Sequence, residues 1–98
     1  MSNPAYFVID MKIIDPDGMK PYQANVEQTY KPFGGELIVA SGIPKALEGN
    51  VPMGRIVVLR FPSLEQAHAW HDSPAYQAIL GHRLAAAEGR AYFVEGVA

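Results

Sequence analysis

Arg55-Ile56-Val57-Val58-Leu59-Arg60-Phe61-Pro62-Ser63-Leu64-Glu65-Gln66 is the stretch that decides the fold. Its first part, Arg55–Phe61, has a nearly continuous apolar centre of branched residues, which suits a central strand covered on both faces. Pro62 ends that run. Ser63 and Gln66 then have the spacing of a capping box, in which the hydroxyl and the amide close the first turn of a helix. A buried strand therefore passes directly into a helix, the signature of a layered fold of helices on a sheet.

Downstream, the helix opened by Ser63 runs to about His71 or Asp72, and Ser73-Pro74 starts another by cap-then-proline logic. Tyr76, Ile79, Leu80, Arg83, Leu84 and Ala87 line one face of that second segment, Gly89 supplies its stop, and Arg90–Gly96 reads as a last strand. Upstream, Tyr6–Ile14 alternates. Phe7, Ile9, Met11 and Ile13 share one face, while Tyr6, Val8, Asp10 and Lys12 share the other. Asp15-Pro16 offers a helix start, although Pro21 interrupts the pattern and moves the expected start toward itself. Met19, Tyr22, Val26, Tyr30 and Phe33 recur at spacings of three and four, and Lys31-Pro32 ends the helix. Gly34-Gly35 turns the chain into a strand at Glu36–Ser41. Ala46–Glu48 is expected to pair briefly as an extra strand before the Gly49–Gly54 turn.

The order is β-α-β-β-α-α-β. Two βαβ halves with right-handed crossovers give a four-stranded antiparallel sheet with its helices on one face, the ferredoxin-like α+β plait, within one domain over 1–98.

Composition narrows the function classes. The 98 residues are 49% hydrophobic and 18% charged, too apolar and too weakly charged for disorder. Ten acidic against eight basic residues give a net charge of −2, and no run of Lys or Arg exists, so a nucleic-acid partner is not expected. No apolar stretch approaches the ~20 residues of a membrane helix. The absence of cysteine removes disulfide scaffolds, thiolate zinc sites and Cys nucleophiles. Met1–Ala5 has neither a basic n-region nor a long apolar h-region, so the expected location is the cytoplasm.

Helices can cover only one face of such a sheet. With Phe7, Ile9, Leu59 and Phe61 turned to the helices, the other face carries Val8, Asp10, Lys12, Ile56, Val58 and Arg60. That is too much Ile and Val for water, and a second copy of the same sheet is the simplest cover. Asp10, Lys12 and Arg60 then either pair within that interface or line a ligand cavity.

Several residues carry a structural and a functional reading side by side. Ser73 caps a helix, Trp70 closes the core and Tyr76 anchors the turn; equally, the three present a hydroxyl and two aromatic rims to a pocket. Arg83 lies on an apolar stripe, where it snorkels, pairs with an acid such as Glu48 or Glu95, or clamps a carboxylate bidentately. Tyr30 and Tyr22 add hydroxyls to the same space. His68 and His71 are three apart with Glu65 three before His68, but they lack the further ligands of a closed metal site, so no metal is expected. No Ser-His-Asp order, nucleophile elbow, P-loop or dinucleotide fingerprint occurs.

Tyr6-Phe7-Val8-Ile9-Asp10, Asp15-Pro16, Phe33-Gly34-Gly35, Glu48-Gly49, Val58 to Ser63, Ala69-Trp70, Asp72 to Gln77 and Val94 to Val97 follow one another in the order of a bacterial family. The chain thus resembles the domain of unknown function numbered thirteen-thirty, of the dimeric α/β-barrel superfamily. The likeness spans essentially the whole chain, and its specific part is the strand-Phe-Pro-Ser-helix-Trp and Ser-Pro-x-Tyr-Gln stretch. Gly18 and Pro21 depart from the regular helix formers of that family. The resemblance implies a homodimer whose two sheets form a barrel, with no established reaction.

Two expectations follow. In the first, the homodimer binds a small, partly apolar, anionic molecule between sheet and helices without a cofactor, through Tyr30, Arg60, Trp70, Ser73, Tyr76 and Arg83. In the second, it is a cofactor-free enzyme, like the monooxygenases and isomerases of similar barrels. His68 is then the acid/base candidate beside Tyr76 and Arg83. Haem held by His68 or His71 is a third, lesser option.

Overall fold

The computed structural model describes residues 3–98. Its elements are β1 (Ala5–Ile13), α1 (Pro16–Tyr30), a 3₁₀ turn (Lys31–Phe33), β2 (Glu36–Gly42), β3 (Arg55–Phe61), α2 (Leu64–His71), α3 (Pro74–Ala86) and β4 (Ala87–Glu95). The strands form one antiparallel sheet in the order β2-β3-β1-β4, the ferredoxin-like arrangement. The serines cap their helices: Ser63 Oγ accepts from Gln66 N at 3.1 Å, and Ser73 Oγ accepts from Tyr76 N at 3.3 Å, so of the expected capping box the Ser63 half is present and the Gln66 side chain makes no return bond to the described residues. Gly34 takes the left-handed conformation (φ 79°) that closes the turn into β2, which suits a residue without Cβ.

Register fixes the two faces of the sheet. Phe7 stands opposite Leu59 and Phe93, and Val8 opposite Val58 and Tyr92. The odd-numbered positions of β1 and β3 therefore meet the helices. Phe7, Ile9, Met11, Leu59 and Phe61 are buried there with Trp70, Tyr76, Met19 and Ala67. Trp70 is the centre, 5.2 Å from Phe61 in a stacked arrangement and 4.2 Å from Tyr76. The even-numbered positions form the open face: Tyr6, Val8, Asp10, Ile56, Val58 and Arg60, joined by Tyr92 and Val94 of β4. The expected alternation holds. β3 is internal, but only its helix side is deeply buried, because nothing within the chain covers the other.

Four local expectations are corrected. Pro21 does not start α1; it lies inside the helix, on the exposed side, where the bond it cannot make costs least. Residues 46–48 form no strand: the segment between β2 and β3 is irregular. Gly89 is not the stop of α3, which ends at Ala86; there the Ala86 carbonyl accepts from Ile14 N (2.8 Å) and Asp15 N (2.9 Å), and Ala87 turns straight into β4. Leu84 points out of the core, and Ala86 takes the inward place.

The return into β3 is held from the open face. Asp10 accepts from Met53 N (3.0 Å), Gly54 N (2.9 Å) and Arg90 Nη2 (3.0 Å). Burial pushes this carboxyl's pKa up, but those donors outweigh it and hold it below its ordinary value. Gly54 is needed for the close approach, since a Cβ there would lie 2.1 Å from the Met11 carbonyl oxygen.

Candidate functional site

Between α1 and the helix-facing side of β1, β3 and β2 lies a cavity of about 280 Å³. Leu37, Ala40 and Ser41, from the edge strand β2, are exposed at its rim, while the lining residues Ile9, Met11, Met19, Tyr22 and Leu59 are buried. The lining is mostly apolar, with a few polar groups, the usual composition of a small-molecule site.

The inner polar group is Arg83, a lining residue only 8% exposed. The helix register that puts Tyr76 into the core places Arg83 two turns later on the same face. Its Nη2 donates to Tyr76 Oη at 3.3 Å, and its guanidinium carbon lies 5.5 Å from the Tyr22 ring centroid. Tyr22 Oη and Tyr76 Oη share a hydrogen bond of 2.9 Å. Burial, together with Tyr76, pushes the Tyr22 hydroxyl well above its usual pKa, so it stays a neutral donor and acceptor. The buried Arg83 Nε has no hydrogen-bond partner, and no carboxylate of the described residues lies within ion-pair distance of this guanidinium. Neither Glu48 nor Glu95 is its partner. A cation taken out of water without a counter-ion is costly unless an anion completes it.

The structure brings only some of the expected residues to this cavity. Arg83, Tyr30 and Tyr22 line it, and Tyr76 reaches it through the hydrogen bonds to Arg83 and Tyr22. Trp70 and Ser73 do not line it. Trp70 is fully buried, its Nε1 donating to Thr29 Oγ1 at 3.0 Å, and the Ser73 hydroxyl donates to Trp70 O at 2.7 Å while capping α3. Arg60 is on the opposite, open face, paired with Glu36 Oε1 at 3.1 Å, and this bond raises its pKa. His68 lies edge-on to Phe93 at 4.8 Å, and His71 faces Tyr76 at 5.5 Å; neither lines the cavity. Among the described residues no three His, Asp or Glu side chains converge as a metal set.

Ser41 and Gln23 complete the polar lining. Sequence reasoning placed Ser41 at the end of a strand and passed over Gln23. The breaks in β2 pairing that bring Ser41 to the rim carry no residue signature beyond Gly42.

A four-stranded antiparallel sheet with three helices on one face and a cavity beneath the first defines a ferredoxin-like α+β protein. Solved structures agree. A protein of unknown function from Rhodopseudomonas palustris is similar at a TM-score of 0.75 and 17% identity, covering 100% of this chain and 85% of that one. A cofactor-independent oxygenase from Streptomyces nogalater, SnoaB, is similar at 0.66 and 7% identity, covering 99% and 96%. A dimeric ferredoxin-like protein of unknown function from Thermobifida fusca is similar at 0.64 and 13% identity, covering 98% and 93%. At such identities the likeness is one of fold. The chain belongs to the family Domain of unknown function (DUF1330), whose model matches residues 4–97. No curated protein matches it.

Proposed function

We propose that this ferredoxin-like domain pairs with a second copy through its open sheet face and binds a small, partly apolar carboxylate in the cavity under α1, with Arg83 as anchor. The observation that carries the ligand is the buried guanidinium with an unpartnered Nε and no carboxylate beside it. An incoming carboxylate would supply the missing charge, and the Tyr22 hydroxyl stands ready as a further donor. The apolar walls favour a hydrocarbon body over a second charge. His68 has no part in this reading, since it does not line the cavity.

Pairing is supported by the open face itself. Val8, Ile56, Val58, Tyr92 and Val94 form a contiguous apolar surface by register, and covering it yields roughly 25 cal/mol per Å² before the cost of association. The Thermobifida fusca neighbour is described as dimeric.

Thermal shift with benzoate, hexanoate and the neutral benzyl alcohol tests the ligand reading. The carboxylates should raise the melting temperature with the logarithm of their concentration above Kd, as ligands of the folded state do, and Arg83→Met should abolish that rise. Equal shifts from benzyl alcohol, or full retention in Arg83→Met, would overturn it. Sedimentation should give a particle of twice 10.7 kDa.

A further inference from the structure

Beside Arg83, Tyr22, Tyr30 and Gln23, the cavity has one polar lining residue that comes from the edge strand, Ser41. An irregularity of that strand brings it there. Leu37 pairs with Leu59, Val39 with Val58 and Gly42 with Ile56, so β2 twice spends one residue more than β3 over the same span. Such bulges turn side chains out of strict alternation. The result is that Ala40 and Ser41, consecutive residues that a regular strand would send to opposite faces, both line the cavity. Ser41 holds a positive φ of 55°, the only non-glycine among the described residues to do so. A backbone of this kind is disfavoured for a residue with a Cβ, and such residues cluster at ligand sites. Its carbonyl is fixed by Arg55 Nη1 at 3.1 Å, whereas its hydroxyl makes no hydrogen bond to the described residues.

We infer that Ser41 is a specificity residue: its hydroxyl, brought to the cavity rim by the β2 bulge, binds a hydrogen-bonding group at the far end of a ligand whose carboxylate meets Arg83. The inference rests on the anionic reading above and narrows its ligand class to small monocarboxylates carrying a hydroxyl or carbonyl at the opposite end. Arg83 is buried and comes from α3, which packs on α1 and β4, whereas Ser41 is exposed on β2, at the opposite edge of the sheet; Met11, Met19, Leu59 and Tyr22 also line the cavity. At the ~30 Å³ a water occupies in the liquid, 280 Å³ holds about nine waters, or a molecule of about ten non-hydrogen atoms. The Phe7, Tyr22 and Tyr30 rings and the Met11 and Met19 thioethers suit an aromatic body.

Calorimetric titration of benzoate, 4-hydroxybenzoate and benzyl alcohol tests the assignment on the wild type and on Ser41→Ala, Ser41→Gly and Arg83→Met. In the wild type 4-hydroxybenzoate should bind about two- to twelvefold more tightly than benzoate, the yield of one neutral hydrogen bond. Both Ser41 variants should lose that preference and bind benzoate and 4-hydroxybenzoate equally. Ser41→Gly, which relieves the positive φ, should also melt higher than Ser41→Ala, separating backbone strain from the hydroxyl's role. A preference that survives in both Ser41 variants, or is missing from a wild type that binds benzoate, overturns the Ser41 assignment and leaves the anion reading standing. Carboxylates that bind the wild type no better than benzyl alcohol overturn both.

Discussion

Arg83→Met separates a guanidinium kept for folding from one kept for a ligand. Methionine preserves much of the length and apolar stem and deletes the charge. What is lost is the Nη2–Tyr76 bond and the contact with the Tyr22 ring. A hydrogen bond to a charged group contributes about 1.5–3 kcal/mol, and at 3.3 Å this one belongs at the low end. The ring contact at 5.5 Å adds about 0.5–1 kcal/mol. Against these stands what the substitution relieves. An unsatisfied buried donor such as Nε costs about 1–3 kcal/mol, and a buried charge without a counter-ion costs several kcal/mol more before relaxation. The Tyr22 and Tyr76 hydroxyls left behind still bond to each other at 2.9 Å, so no new orphan is made.

The hydrogen-bond and ring terms alone sum to between a loss of about 1.5 kcal/mol and a gain of about 1 kcal/mol, and removal of the uncompensated charge moves the balance further toward a gain. For a domain of this size a gain of 1 kcal/mol raises the melting temperature by about 4–8 °C. Urea melts of both proteins at one fixed protein concentration, with equal m-values, measure it. A loss beyond about 2 kcal/mol would refute the reasoning: Arg83 would then be a structural residue with partners that the orphaned Nε conceals, and the case for an anion site would fall with it.

Thr29→Val should cost about 1–3 kcal/mol, because it strands the buried Trp70 Nε1, while Thr29→Ser should recover most of it; denaturant melts decide, and equal loss in both variants would contradict the hydrogen-bond account. The lowered pKa of Asp10 means that its stabilisation is present above the unfolded-state value of about 3.9 and is lost as pH falls through the folded-state value. Asp10→Asn should therefore be less stable at pH 7 and show a flatter decline of stability on acidification; parallel wild-type and variant curves would contradict this. Val58→Lys puts a charge in the middle of the open sheet face and should leave particles of 10.7 kDa in sedimentation at concentrations where the wild type is paired; an unchanged wild-type pair would place the interface elsewhere.

The plait was legible because its signals are local. Ser63 and Ser73 have the residue type, spacing and following proline or glutamine that caps require, and the period of two in β1 survives without a slip from Ala5 to Met11. Pro21 misled because a proline signals a break whatever its side of the helix, and only the folded chain reveals that it faces outward. Gly89 misled in the same manner: the glycine after a helix suggests a stop, yet the end of α3 is satisfied by the β1–α1 junction, a contact between residues 72 apart in sequence at Ile14 and Ala86. Arg83 and Tyr30, which line the cavity, stand out in the sequence because they interrupt or adorn an apolar stripe. Arg60 joined them on chemistry alone, although period-two alternation already put it on the face opposite the helices. Ser41 escaped because it reaches the cavity through a register break, which no residue type announces.

Adjacent residues of one strand serve both proposed tasks. Phe7, Ile9 and Met11 of β1 form a wall of the cavity, while Val8 and Asp10 between them belong to the open face. Pairing through that face therefore leaves the cavity rim, on the far side of the sheet at β2, clear of the partner. It also stiffens the floor of the cavity, since β1 and β3 cannot slip without moving apolar residues on both sides at once. The bulged strand β2 is the exception. It is an edge strand, its pairing with β3 is broken twice, and it carries the exposed rim residues. The proposed site then divides its labour: the buried Arg83 would meet the ligand's charge, and Ser41, on the irregular edge strand, would sit where small backbone changes alter which ligands fit.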